Sequence, residues 1–342
     1  MRRLPVYVLL DCSESMVGDG IAALREGVRT MLVTLRRNPH ALETAWISFI
    51  GFSSTARVLC ELTPLEDIAE PELRLGHGTA LGAAIELLSE RLVNEVRKGS
   101  TSAKGDFRPL VVLLTDGQPT DEWKVAKAKF DQISSHMVAN MYVIGCGEDV
   151  DYEVLGHISD IVFSSPEMTP DAMAKLFVWL TATVSSASVG VTDGRQESAD
   201  TMEKLPDSLH KLDLKKDRLP GRRRQVFVSA VCSKTKLPYL MRYAQNGSSN
   251  RYVAVRSHRL DREPLDSSSS SSGGCLGSED FEGVAACPYC ESQSAIAHGS
   301  PCGVISCGGM LDNRQMIHTC PVCGEAFKVG ASGSFDINTV LG

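Results

Sequence analysis

No stretch of this chain approaches the roughly 18 consecutive apolar residues that a bilayer-spanning helix needs, so no membrane segment is expected in its 342 residues. An excess of positive charge is missing too. Asp and Glu number 42 against 35 Lys and Arg, and the formal charge of -7 gives no overall pull toward nucleic acid or anionic lipid. There is no Gly-rich loop ending in Lys-Ser or Lys-Thr and no Gly-x-Ser-x-Gly elbow, which removes the usual sequence signs of a nucleotide hydrolase or a serine hydrolase. No internal repeat occurs. The start MRRLPVYVLLDC sets two Arg before an apolar run that ends at Asp11, and it has the length of a strand rather than of a secretion leader. The expected compartment is therefore the cytoplasm, where the eleven cysteines would be reduced thiols or metal ligands rather than disulfides.

What is present is alternation. VYVLLD (6–11), AWISFIGF (45–52), ARVLCEL (56–62), PLVVLLTD (109–116), NMYVIGCG (140–147) and DIVFSS (160–165) read as strands, several of them apolar throughout as in a sheet covered on both faces. Between them, residues 20–37, 79–96, 121–137, 151–158 and 169–186 carry the helical period. This pattern predicts an α/β fold with a doubly wound, mostly parallel sheet over residues 1–187, whose ligands gather at the carboxyl ends of the strands. A polar linker is expected over 188–224. A hairpin turning at SKTK, a third strand near 251–258 and a small β-rich, cysteine-rich zinc-ribbon-like domain follow to about 330. That domain includes a Ser/Gly segment at 266–274, and a tail runs over 331–342.

Three loops place oxygen ligands at strand ends or helix starts. DCSESM follows the first strand with Asp11, Ser13 and Ser15 at alternate positions; GHGTALG sets Thr79 between glycines at a helix start; LLTDGQPTD ends a buried strand at Asp116. Each piece alone is an ordinary N-cap. Together they match the needs of Mg²⁺, which takes about six oxygens but only one or two carboxylates and usually keeps waters. The arrangement resembles the metal-ion-dependent adhesion site of a von Willebrand factor A domain. The resemblance implies that Ser13, Ser15 and Thr79 ligate Mg²⁺ (or Mn²⁺ or Ca²⁺), with Asp11 and Asp116 acting directly or through water. Glu14 departs from the family, which usually has Gly there. An ion so held keeps residual positive charge, and at an effective dielectric of about 20 a partner carboxylate 4 Å away gains about 4 kcal/mol before desolvation. The expectation is capture of a partner's Asp or Glu rather than catalysis, for which His77 is the one local candidate.

Six cysteines fall between Cys287 and Cys323. The pairs CPYC (Cys287, Cys290) and CPVC (Cys320, Cys323) each aim two thiolates at one point, and joined they would close the tetrahedral sulfur shell Zn²⁺ prefers. A possible second zinc has Cys302, Cys307, His298 and His318 as its candidates; Cys232 and Cys275 stay unassigned. The A-domain motifs, the KLPYL hairpin and the terminal cysteines together resemble bacterial TerY-type proteins of tellurite-resistance clusters. The resemblance implies a non-enzymatic adaptor working with a Ser/Thr protein kinase and a metal-dependent protein phosphatase. The alternative is nucleic-acid binding through the zinc module and the basic stretch KLDLKKDRLPGRRR (211–224), although residues 282–328 offer few basic groups and no interleaved aromatics.

Overall fold

A computed structural model describes residues 2–99, 104–115, 118–147, 150–167, 169–192, 205–213, 224–246, 251–260, 275–297, 302–310, 317–329, 336–338 and 340–341. The chain divides into two compact units, Met1–Arg222 and Arg223–Gly342.

The first unit runs β1 (Leu4–Asp11), α1 (Asp19–Leu35), α2 (Pro39–Thr44), β2 (Ala45–Phe52), β3 (Ala56–Pro64), α3 (Leu81–Glu95), β4 (Leu110–Thr115), α4 (Trp123–Met137), β5 (Asn140–Cys146), α5 (Tyr152–Ile158), β6 (Ile161–Ser165), α6 (Pro170–Thr192) and β7 (His210–Lys211). Its strands form one sheet in the order β3-β2-β1-β4-β5-β6-β7, parallel except for the edge strands β3 and β7. All eight residues of β1 are buried, as expected of a strand paired on both sides and covered on both faces. Tyr7 and Leu9 face a core built with α3, α4 and α5. On the other face α1 packs against α6, and Trp179 of α6 stands edge-on to Tyr142 and Phe163. The strand order turns back at β1, whose neighbours β2 and β4 lie on either side, so its carboxyl end lies at the switch point where α/β sheets open a crevice.

The second unit is nearly all β: β8 (Gln225–Val231), β9 (Pro238–Gln245), β10 (Tyr252–Arg259), β11 (Cys275–Gly277), β12 (Phe281–Glu282), β13 (Ala295–Ala297), β14 (Ile305–Cys307), β15 (Ile317–Thr319), β16 (Ala326–Lys328), β17 (Asp336–Asn338) and β18 (Val340–Leu341). The main sheet follows β12-β10-β9-β8-β14-β13, with β18 on β8; β11 pairs β17 and β15 pairs β16.

Three expectations are corrected. The linker begins later than residue 188, because α6 runs through SSASVGVT (185–192), which holds no Pro and one Gly to break it, on to Thr192. Within the supposed linker, His210–Lys211 forms the edge strand β7, while 214–223 and the Ser/Gly segment at 266–274 lie outside the described residues. Residues 331–342 are not a detached tail, since β17 and β18 in that stretch pair within the second unit. These short strands carry no periodicity of their own, so pairing alone reveals them. The helix α2, started by Asn38 accepting from the Ala41 amide with Pro39 at its first position, is an element the sequence reading left out.

α1 and α6 meet closely at Gly27, where an added Cβ would lie 2.1 Å from the Phe177 ring. Gly27→Ala should overpack this contact at about 1–3 kcal/mol. Thermal unfolding followed by circular dichroism should show the melting temperature falling by about 2–4 °C per kcal/mol.

Candidate metal centres

The oxygen-rich loops meet at the carboxyl ends of β1 and β4. Asp11 is 1% exposed and its two oxygens are engaged. Oδ1 accepts from the Ser13 amide at 2.9 Å and Oδ2 from the Thr115 hydroxyl at 2.5 Å. Ser13, fully buried, lies with its hydroxyl 2.7 Å from that of Ser15. The chain then makes a tight turn over Glu14–Met16. Cys12 sits among these groups as a small buried residue, its thiol pushed up to about 12 by burial and by the Asp11 charge.

The Thr79 loop is fastened to the first loop from several sides. The Gly76 amide donates to the Cys12 carbonyl at 2.8 Å, and the Gly78 amide to the Glu14 carboxylate at 2.6 Å. Gly78 has φ +73°, a conformation a side chain would strain. Thr79 itself exchanges bonds with Thr120, whose hydroxyl accepts from the Thr79 amide and whose amide donates to the Thr79 carbonyl. Asp121 caps α3 by accepting from the amides of Gly82 and Ala83. Thr79 therefore stands just before α3 rather than inside it. Its hydroxyl is buried with no hydrogen-bond partner among the described residues.

Buried hydroxyls are ordinarily paired, so an oxygen in that condition fits a site that a cation completes. The donors here are hydroxyl and carboxylate oxygens, the set that Mg²⁺, Mn²⁺ and Ca²⁺ accept. Asp116 lies outside the described residues, directly after the last residue of β4. His77 is half-buried, with its charged form disfavoured by burial, and its Nδ1 has no partner among the described residues that would orient it as a base.

Sequence reasoning noticed Glu14 only as a departure from a family pattern. The structure shows a fully buried carboxylate joining the two loops. Thr120 and Asp121 went unnoticed, because a Thr-Asp pair before a helix reads as the cap of that helix, whereas here it braces α3 instead.

In the second unit the cysteines group differently from the expected pairing. Cys232, Cys287, Cys290 and Cys307 bring their sulfurs within 4.8 Å of one another, and Cys302, Cys320 and Cys323 do so separately. The pairs CPYC and CPVC thus belong to different clusters, and Cys302 and Cys307 are divided between them. The reason is local. The chain turns at Gly303, φ +56°, after Cys302, and β14 then runs parallel beside the end of β8, pairing Ser306 with Val231 and carrying Cys307 toward Cys232. His318 is buried with its Nε2 2.9 Å from the Ser306 hydroxyl and joins neither cluster; His298 lies outside the described residues.

Three turns share one geometry. The amide of Cys232, Cys287 or Cys320 donates to the carbonyl five residues on, and the amide four residues on donates back to the cysteine carbonyl. That fourth residue has positive φ each time: Lys236 (60°), Glu291 (61°) and Gly324 (78°). The Cys232 turn is thus a knuckle with Thr235 where the second cysteine of the other two stands. A search for Cys-x-x-Cys misses it; the signal was a Cys opening the turn of a hairpin.

The amide of Ser233 donates to Cys307 Sγ and that of Thr235 to Cys232 Sγ. Burial opposes ionisation of Cys232, but the hydroxyl and amide of Thr235 and the amide of Lys234 outweigh it and hold the thiol down to about 7. Burial lifts Cys287 to about 12. Four such thiols at contact cannot all ionise unaided, and a cation is what lets them. At Gly309 an added Cβ would lie 2.8 Å from Cys290 Sγ.

Without any metal, Glu14→Ala should leave the Gly78 amide buried and unpaired, costing about 1–3 kcal/mol in urea unfolding. Glu14→Gln, which keeps an acceptor, should cost less; equal losses would show that only the bulk of the side chain matters.

Comparison with known proteins places both units. Residues 6–172 match the von Willebrand factor type A domain, and residues 223–342 match the TerY-C metal binding domain. Among solved structures the chain is similar to proximal thread matrix protein 1 from the mussel byssus, at 16% identity over 54% of this chain and 48% of that one, with a TM-score of 0.41. The same mussel protein with a zinc occupied MIDAS motif is matched at 16% identity over the same shares, with a TM-score of 0.38. A von Willebrand factor type A protein from Catenulispora acidiphila is matched at 17% identity over 76% of this chain and 66% of that one, with a TM-score of 0.42. The chain spans about half the length of the mussel protein. Domains of the A type are in general non-catalytic interaction modules, and no helix among the described residues is long and apolar enough to cross a membrane. With an A domain followed by a metal-binding domain that carries two cysteine clusters, the chain belongs to the TerY-type von Willebrand factor A proteins.

Proposed function

We propose that this protein is a non-enzymatic, metal-dependent adaptor whose A domain captures an acidic side chain of a partner protein. The observation that carries the reading is the hydroxyl of Thr79, buried and without a partner among the described residues, in a loop tied to the Ser13–Ser15 loop at the switch point of the sheet. Asp11, Ser13, Ser15, Thr79 and Asp116 would hold Mg²⁺, or Mn²⁺ or Ca²⁺ in its place. The ion supplies positive charge and a coordination position that a partner's Asp or Glu can fill. Both Asp11 oxygens already accept a bond from this chain, which suits Asp11 to act through water and leaves the ion less fully neutralised. The cross-loop bonds from Glu14 and Thr120 hold the hydroxyls in place before any partner arrives, so binding spends little on ordering loops.

In the second domain, thiolate ligands select a soft or borderline ion, and Zn²⁺ fits the four-sulfur set of Cys232, Cys287, Cys290 and Cys307. A closed shell of that kind is structural. Cys302, Cys320 and Cys323 would hold a second ion. The family resemblance supports a Ser/Thr protein kinase and a metal-dependent protein phosphatase as the proteins the adaptor serves, in a bacterial stress or defence system.

Two experiments test this. In pull-downs with the full chain, capture should require Mg²⁺. It should be lost with Asp11→Ala combined with Ser13→Ala, and weakened on the order of 10–100-fold by Thr79→Ala, with circular dichroism unchanged. Capture that persists in chelator refutes the metal bridge. Native mass spectrometry should find two zinc ions per chain, and Cys232→Ser, which leaves three thiolates at its cluster, should lose that ion to chelator faster than the unaltered chain; an unchanged rate would remove Cys232 from the site.

A further inference from the structure

The two cysteine clusters differ in ways that bear on exchange of the ion. In the four-sulfur cluster Cys232, Cys287 and Cys307 are buried and belong to the hydrophobic core of the second unit, beside Tyr239 and Met241. Backbone amides point at two of the sulfurs, and Gly309 lets the chain close over Cys290. The other cluster is enclosed on one side only: Cys320 is buried and its sulfur receives the amides of Val322 and Cys323. Cys302 Sγ lies 3.6 Å from both Cys320 Sγ and Cys323 Sγ, but Cys302 is only half-buried and Cys323 is exposed. The cluster opens on a cavity of about 420 Å³ lined by Cys302, Cys323, Gly324 and Glu325. Among the described residues, three thiolates and no fourth Cys, His or carboxylate donor gather there, and His318 turns to Ser306 instead.

A zinc ion with three protein ligands keeps its fourth position for water or another small ligand, whereas four thiolates leave none. The apolar shell around a site governs how solvent and competing ligands reach the ion. We infer that the Cys302–Cys320–Cys323 cluster is an exchangeable metal site, with three thiolates and a replaceable oxygen or nitrogen donor at its open side, next to a permanent four-sulfur site. A transferable or partner-supplied fourth ligand enters through the cavity where Glu325 stands. This rests on the metal-binding reading of the second domain and is independent of the A-domain site.

The test uses the zinc-loaded full chain mixed with excess chromophoric chelator. Two equivalents should leave in two phases separated by at least about tenfold in rate. The fast phase should be absent from Cys323→Ser and the slow phase unchanged. A single phase, or a fast phase that survives in Cys323→Ser, overturns the inference. Release of no metal from the loaded chain also overturns the inference, whereas a chain that takes up no zinc on loading would sink the metal-binding reading itself. Should Cys323→Ser fail to fold, the unaltered chain gives a second readout: it is stripped of one equivalent, alkylated and mapped by mass spectrometry. Label confined to Cys302, Cys320 and Cys323 supports the inference; label on the four-sulfur set, or spread evenly, overturns it.

Discussion

A buried oxygen atom must be paired, and the A domain is organised around that demand at the end of β1. Asp11, Ser13, Glu14, Thr79 and Thr115 are each 2% exposed or less. Bulk solvent barely reaches them, so the chain pairs most of them, through bonds that run between loops far apart in sequence: Thr115 to Asp11, Gly78 to Glu14, Thr120 to Thr79. These bonds bring β1, the approach to α3 and the loop after β4 to one point. Among the described residues the Thr79 hydroxyl is what they leave over, and a cation is the partner its surroundings suit.

The two domains use opposite ends of metal chemistry. Hard oxygen ligands at the mouth of a parallel sheet suit an ion that holds its ligands loosely and accepts one from outside. Soft sulfur ligands in the second domain do what a larger core would otherwise do. Many of its strands are two or three residues long, and three of the cluster's own cysteines are counted among its buried core residues. Short strands and a small core are marginal without a staple, and a metal held by four thiolates is one. The same chemistry, with one thiolate fewer and an exposed edge, gives the second cluster a different character.

The alternation of apolar strands and amphipathic helices made the A domain legible from residues 4 to 186, because each element carries its own periodicity and a sheet covered on both faces leaves little choice of burial. The hydroxyl and carboxylate motifs of the site were legible for a similar reason: each lies in a short local stretch at a strand end. What sequence could not show was how the loops hold one another. Glu14 stood out only as a departure from a family pattern, and Thr120 and Asp121 did not stand out at all, until their bonds to Gly78, Thr79 and the start of α3 were seen.

The cysteines show the division most plainly. Their number, type and Cys-x-x-Cys spacing were enough by themselves to establish a metal-binding module, since two thiolates on one tight turn converge whatever the rest of the chain does. Which turn meets which is another matter. Cys287 and Cys290 join Cys232 and Cys307 because β14 runs parallel to β8 and lays their ends side by side, a pairing between residues more than 70 positions apart. Spacing along the chain carries no record of such long-range registry, so only the tertiary structure decided it.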